Sequence, residues 1–239
     1  KELVIPISIS VLCENEANRE GLLILSKKKE VFEISNLPKH QSNPVISLFN
    51  NFSAPVNWEN DFSIEELIYL IDNDNDLFSK WNTIQYLIRK AVIARAEKHP
   101  DVRIENLLIN SYKKIIGAFN IKEPGFLASI LKIPSIAELE LFQEKIDPVS
   151  LYQSYIYFSK FIANSISIEL VNLLDKCNLL ANKKWPKGQG ERKLIKEIWK
   201  YLNFSEQVNI RSSLLKAVNG SSMTLSIAAL NAFIPIECE

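Results

Sequence analysis

The chain has 239 residues, room for one large domain or two modest ones at about 150 residues each. With 47% hydrophobic and 23% charged residues it has globular composition, which excludes a disordered or low-complexity chain. Lysine plus arginine equals aspartate plus glutamate at 28 each, so no overall field points to nucleic acid or a membrane surface as partner.

Residues 1–57 read in period two. Leu3, Ile5, Ile7, Ile9 and Val11 alternate with smaller or polar neighbours up to Cys13, the pattern of one long strand, and Pro6 within it favours an edge position or a bulge. Glu14 to Gly21 reads as a polar connection, Leu22 to Leu25 as a short strand, Ser26 to Lys29 as a charged turn and Val31 to Ile34 as another strand, giving two hairpin-like returns. Pro44 to Phe49 is a further β-rich run. Phe52-Ser-Ala-Pro-Val56 is a last extended piece, because the residue before a proline is pushed out of the helical region. An immunoglobulin-like sandwich needs about seven strands in roughly 100 residues; four or five are expected here, so the chain is expected to begin inside such a domain. The absence of a starting Met points the same way.

From Trp58 the period becomes helical. Ser63-Ile-Glu-Glu66 has the spacing of a capping box and opens a helix that carries Leu67, Leu70 and Ile71 on one face and ends near Asp72. A long amphipathic helix is expected from about Asp76 to Lys98, stopped by His99-Pro100, and another from Ile104 to Phe119. A short helix spans Pro124 to Ile133, and Ser135-Ile-Ala-Glu138 is a second capping box. Asp147-Pro148 pairs an N-cap with proline at the first helical position, and the apolar pattern then runs to about Leu180. Later helices are expected over Gln189 to Leu202, Ser205 to Val218 and Ser222 to Ile234. The expected fold is mainly α: a partial β-sandwich over 1–57, then an α-solenoid-like multi-helix domain over 58–239, cut short at its C-terminus.

The chemistry-bearing residues are sparse. His40 falls in a polar loop and His99 at a helix end, and neither has the i, i+4 partner of a helical zinc site. Asp72-Asn-Asp74-Asn-Asp76 opens like a calcium loop, but Leu77 stands where glycine is needed and Thr83 where a bidentate glutamate is needed; the segment reads as a helix end followed by the next N-cap. Phosphate-binding glycine loops and the G-x-S-x-G nucleophile turn are absent. Lys183, Lys184, Lys187, Arg192, Lys193, Lys196 and Lys200, interleaved with Trp185 and Trp199, suggest a nucleic-acid footprint, but Leu194, Ile195 and Ile198 make this a helix with a solvated basic face. Cys177 reads as a packed hydrophobe. Cys13, Cys177 and Cys238 are too few and scattered for a disulfide framework or zinc ribbon, and fit a reducing, cytoplasmic compartment; in it the sequons at Asn51, Asn203 and Asn219 would go unused. No run approaches the roughly 18 apolar residues of a membrane span, and no signal peptide opens the chain.

The junction Pro44-Val-Ile-Ser-Leu-Phe-Asn-Asn-Phe-Ser-Ala-Pro-Val56, with Asp74-Asn-Asp-Leu-Phe-Ser-Lys-Trp81 and Gln85 after it, resembles the bacterial aminopeptidase N (alanyl aminopeptidase) family of zinc metallopeptidases. Leu3-Val-Ile-Pro-Ile-Ser-Ile9 and Val31-Phe-Glu-Ile34 resemble that family's small β-sandwich domain. Leu131-Lys-Ile-Pro-Ser-Ile-Ala-Glu-Leu139, Ile146-Asp-Pro-Val149, Ser222-Met-Thr224 and Ala228-Ala-Leu-Asn231 resemble its C-terminal helical domain. The resemblance implies a parent enzyme whose zinc is held by H-E-x-x-H and a later glutamate, and whose G-x-M-E-N binds the substrate's amino terminus. None of these motifs is present, so no catalytic, cofactor-binding or metal-ligating residue is expected in this chain and no zinc bound by it. The implied role is architectural: with the catalytic domain of the same polypeptide as partner, the helices enclose and gate a cavity that admits peptide substrates. Neither nucleic acid nor membrane is an expected partner, and the isolated chain is expected to self-associate through its cut ends. The competing reading is a free-standing helical-repeat module that binds a protein or peptide.

Overall fold

The computed structural model describes residues 3–13, 18–35, 44–56, 58–118, 123–143, 145, 147–181 and 186–233. They fall into two compact units, Lys1–Ile84 and Gln85–Glu239.

In the first unit, β1 (Ile5–Leu12), β2 (Arg19–Leu25) and β3 (Val45–Leu48) form a sheet of order β2-β1-β3 with both pairings antiparallel. Ile9 lies opposite Gly21 on one side and Leu48 on the other, and Ile9, Val11, Leu12 and Val45 are buried. Although β1 is central, Pro6 faces only Ile24 of β2, because β3 pairs no further back than Ile9. At Pro6 the strand is locally an edge, where a missing N–H is tolerated. Ser53 takes β3's place there: its hydroxyl accepts from Ser8 N (3.0 Å) and donates to Pro6 O (3.3 Å).

The strand expected at Val31–Ile34 does not form. Ser26 N donates to the Glu30 carboxylate (3.0 Å), and the chain leaves the sheet with Val31 84% exposed. β1 is flanked instead by β3, so the second hairpin is replaced by a longer connection. The extended piece expected from Phe52 is also different, since Asn50–Phe52 is a 3-10 turn. Phe49, Asn51 and Phe52 have φ of 60°, 54° and 55°, a left-handed conformation that costs non-glycine residues about 1 kcal/mol or more each.

Buried polar bonds hold this turn. Asn50, 5% exposed, donates to Ser10 Oγ (2.6 Å) and accepts from Ser47 Oγ (2.8 Å). The Ser47 hydroxyl lies 2.8 Å from that of Ser79; with its own proton directed to Asn50, it accepts from Ser79. Rings pack around them: Phe49 on Trp58 and Phe52 on Phe78, with centroids 5.7 and 5.0 Å apart.

Helix α1 (Ile64–Asn73) opens with the expected Ser63/Glu66 capping box and buries Leu67, Leu70 and Ile71. Helix α2 (Leu77–Ala96) crosses from the first unit's residues into the second's. The second unit continues with α3 (Val102–Ala118), α4 (Pro124–Leu131), α5 (Ile136–Glu140), α6 (Pro148–Ser165), α7 (Ser167–Ala181), α8 (Gln189–Phe204), α9 (Arg211–Val218) and α10 (Met223–Phe233). Helix α8 is central, packing against α4, α6, α7 and α10 and burying Leu194, Ile195, Ile198, Trp199, Tyr201 and Leu202.

Helix α4 is held by three other helices. Carbonyls at a helix C-terminus lack intrahelical donors. Here Tyr112 of α3 donates to Ile130 O (3.2 Å), Tyr201 of α8 to Leu131 O, and Gln85 of α2 to Lys132 O (2.9 Å). Burial raises the phenol pKa of both tyrosines above the usual range, so both remain neutral donors.

Two helical expectations need correction. The apolar run from Asp147 to Leu180 is two helices, broken at Ile166 (φ −128°, ψ 21°). The break is fixed from afar: Ser167 Oγ donates to Gln207 Oε1 (2.7 Å), and Asn164 Oδ1 accepts from Ser205 Oγ (3.3 Å) and Glu206 N (3.1 Å). The same bonds hold Ser205 to Gln207 outside a helix, so α9 starts at Arg211 and not at Ser205. No helix among the described residues is long and apolar enough to cross a membrane.

Candidate functional site

The acidic segment before α2 does what a helix boundary requires. Asp74 ends α1, and its Oδ1 accepts from Asp76 N (2.9 Å). The Asp76 carboxylate accepts from Ser79 N (2.7 Å) and from Asn51 N (2.9 Å), capping α2 and bracing the left-handed turn. Asp74 is 2% exposed and its Oδ2 has no hydrogen-bond partner among the described residues. Lys80 compensates through its charge: burial lowers its pKa, against the opposing pull of Asp74 and Asp72.

The other candidates stay apart. His99 is exposed at the end of α2, its N–H donating to Ala94 O (2.8 Å) beyond a left-handed Lys98. Of the basic segment, Arg192 is spent on Ala181 O (2.7 Å) and Lys187 O (3.2 Å), and Trp199 is buried. Cys177 is fully buried, and burial pushes its thiol up to about 11. His40, Lys183, Lys184, Trp185 and Cys238 lie outside the described residues. Among the described residues no group of three or more His, Cys, Asp or Glu could hold a metal ion.

What the helices do bring together is a pocket of about 220 Å³ in the second unit. Ile133, Tyr155, Tyr201 and Phe204 supply apolar surface, while Lys132, Glu197, Lys200 and Asn231 bring polar groups from the end of α4, from α8 and from α10. Lys200 Nζ lies 3.0 Å from Glu197 Oε2, and the Glu197 side chain is only 12% exposed. Burial, and after it the Glu197 charge, raises the Tyr155 phenol above its usual range. At the pocket edge Ser135 caps α5, both its N–H and its hydroxyl bonded to Glu138 Oε2 at 2.7 Å. Nothing in the sequence marks this pocket, because its residues are far apart in the chain and share no spacing.

A family model described as a domain of unknown function (DUF3458_C), ARM repeats, matches residues 64–239, and its companion, DUF3458 with an Ig-like fold, matches residues 1–61. The chain belongs to the DUF3458_C family. The resemblance to bacterial aminopeptidase N also holds. Over 109 residues the chain is 34% identical to aminopeptidase N of Caulobacter vibrioides, covering 46% of itself and 12% of that protein. Over 221 residues it is 23% identical to aminopeptidase N of Escherichia coli, covering 90% of itself and 25% of that protein. The crystal structure of Legionella pneumophila aminopeptidase A in complex with aspartic acid shares the fold, with a TM-score of 0.84 at 23% identity over 98% of this chain and 28% of that one. The chain thus spans between 12% and 28% of the length of these proteins.

Proposed function

We propose that the chain is the non-catalytic C-terminal region of a bacterial, cytoplasmic, zinc-dependent aminopeptidase that removes N-terminal residues from peptides. In this reading 1–57 belongs to a small β-sandwich and 58–239 to a helical domain that encloses and gates the cavity on the catalytic domain of the same polypeptide. The observation that carries it is the domain order: an Ig-like segment followed by ARM-repeat helices, in a chain matched to aminopeptidase N over 90% of its length. Among the described residues no three candidate zinc ligands meet. In this proposal zinc and the peptide-cleaving groups belong to the partner domain, and no step of the reaction is assigned to this chain. Two buried free cysteines, Cys13 and Cys177, support the reducing compartment. Met223, Ile227 and Leu230, which are 76%, 46% and 51% exposed on α10, support self-association of the isolated chain.

The test uses the parent enzyme. Upstream of Lys1 the reading frame should encode H-E-x-x-H and G-x-M-E-N. The ratio of kcat/KM for an alanyl chromogenic substrate to that for a long polypeptide should fall when 64–239 are deleted, with zinc content showing that the catalytic domain remains folded. An unchanged ratio in a zinc-loaded deletion enzyme overturns the gating role.

A further inference from the structure

We propose that the pocket beside α5, α6, α8 and α10 binds a neutral aromatic ring that carries one hydrogen-bond donor, an indole or a phenol. Its volume, about 220 Å³, exceeds the roughly 150 Å³ of a cavity that holds a benzene ring, so a substituted or fused ring fits. The walls select the ring. Tyr155, Tyr201 and Phe204 line the pocket with Ile133, and aromatic faces and edges attract one another beyond the burial of area. The Tyr201 hydroxyl is spent on Leu131 O, which leaves its ring as the surface on offer. The charges of the lining balance: the Lys200 ammonium lies 3.0 and 3.3 Å from the two Glu197 oxygens, and the Lys132 charge is met by Glu138. Such a lining gives no net attraction to an acid or a cation.

Glu197 selects the donor. Its carboxylate sits among the lining groups: Lys200 is bonded to it, and the Tyr155 phenol, raised first by burial, is raised further by its charge. A carboxylate has about four acceptor sites. Among the described residues Lys200 alone is bonded to this one, and the Glu197 side chain is only 12% exposed, so acceptor capacity stays open where little water reaches. An N–H or O–H on the bound ring would fill it, and a bond to a charged acceptor is stronger than one between neutral groups. A ring without a donor would strip the remaining water from Glu197 and put nothing in its place. An anionic ligand would meet Glu197 itself, and a cationic one would have to displace Lys200. This inference concerns the second unit alone and does not depend on the gating role.

The ring could belong to a free small molecule or to a side chain of a peptide, and NMR titration of the whole chain separates the two. The probes are 3-methylindole, 1,3-dimethylindole, and Ala-Trp-Ala capped at both ends with a free or N-methylated indole. The N–H rings should bind saturably and each N-methyl ring at least about tenfold more weakly, the size of one lost hydrogen bond to a charged group. Weaker or absent binding of the tripeptide relative to 3-methylindole assigns the pocket to free rings, and equal or tighter binding assigns it to a peptide side chain. Glu197→Gln, which keeps the shape and loses the charge, should cut the N–H preference several-fold and leave the circular dichroism spectrum unchanged. Phe204→Leu should weaken both indoles alike, by about threefold, and keep the preference, since it removes a wall and not the acceptor. Equal affinity for the N–H and N-methyl rings, a preference unchanged in E197Q, affinities unchanged in F204L, or no binding of 3-methylindole and the tripeptide overturns the proposal.

Discussion

Replacing Gly190 with alanine should destabilise the protein, whereas the same replacement at Gly117 should not. Alanine in place of an exposed helical glycine ordinarily gains about 0.5–1 kcal/mol through the lower entropy of the unfolded chain. At Gly117, near the end of α3, an added Cβ meets nothing within 4 Å, so a gain of a few tenths to about 1 kcal/mol is expected. At Gly190, in the first turn of α8, the Cβ would lie 2.7 Å from Pro124 Cγ and 2.9 Å from Gly125 N. Neither the proline ring nor the backbone nitrogen can rotate away, so the starts of α4 and α8 would have to separate. Overpacking of this kind costs about 1–3 kcal/mol, more than the propensity gain, and leaves a net loss of about 0.5–2 kcal/mol. For 150–250 residues that corresponds to a fall in Tm of roughly 1–8 °C. Urea unfolding followed by far-UV circular dichroism measures both variants against the parent. G190A as stable as the parent would show that α4 yields freely, and would refute the close packing argued here.

Glu105 is 1% exposed and holds Arg95 through bonds of 2.7, 2.9 and 3.0 Å, with the guanidinium 3.6 Å above the Tyr157 ring; Glu105→Ala should cost about 1–3 kcal/mol by leaving the half-buried Arg95 without its partner. Glu105→Leu combined with Arg95→Met should recover most of that loss in the same unfolding assay. The Ser135 hydroxyl, and after it the Ser135 amide, hold Glu138 below the ordinary carboxylate value of 4.5, so its contribution is complete above that pH and is lost as the pH falls through the lower folded value. Accordingly, Ser135→Ala should cost about 1 kcal/mol near pH 7 and progressively less in acid, read from unfolding curves across pH. Thiol titration without reductant should find three free groups in denaturant, with Cys177 unreactive in the native state at pH 8, where burial keeps it protonated. The isolated chain should neither cleave an alanyl chromogenic substrate nor retain one zinc per chain after dialysis; turnover or stoichiometric zinc would contradict the assignment of both to the catalytic domain.

Features written within a few residues were legible in the sequence. Ser63 with Glu66, Ser135 with Glu138, and Asp147 before Pro148 each start a helix where their spacing predicts, because capping is a local bond. The Asp72–Asp76 segment is likewise a helix end and a new cap. What failed depends on partners far along the chain. The break at Ile166 contains no proline or glycine and is fixed by bonds reaching about 40 residues to Gln207 and Ser205. Val31 and Ile34 have a strand's composition but pair with no strand among the described residues, where β3 flanks β1. The left-handed turn is written partly in Asn51, a residue that tolerates such φ values, but Phe49 and Phe52 do not advertise it. The pocket was hidden for the same reason: Lys132, Tyr155, Glu197 and Asn231 become neighbours only after the helices pack.

Helical repeats ordinarily form a one-dimensional stack in which each layer touches only the next, so unfolding can begin at an end and travel inward. The capture of α4's last carbonyls by Tyr112, Tyr201 and Gln85 changes that connectivity. Those bonds span 18, 70 and 47 residues, binding early and late layers into one cooperative block. Such a block cannot be assembled layer by layer as the chain emerges from the ribosome: α4 lacks its full set of donors until α8 has been made. Until then the Leu131 carbonyl that ends α4 must wait for a tyrosine seventy residues away.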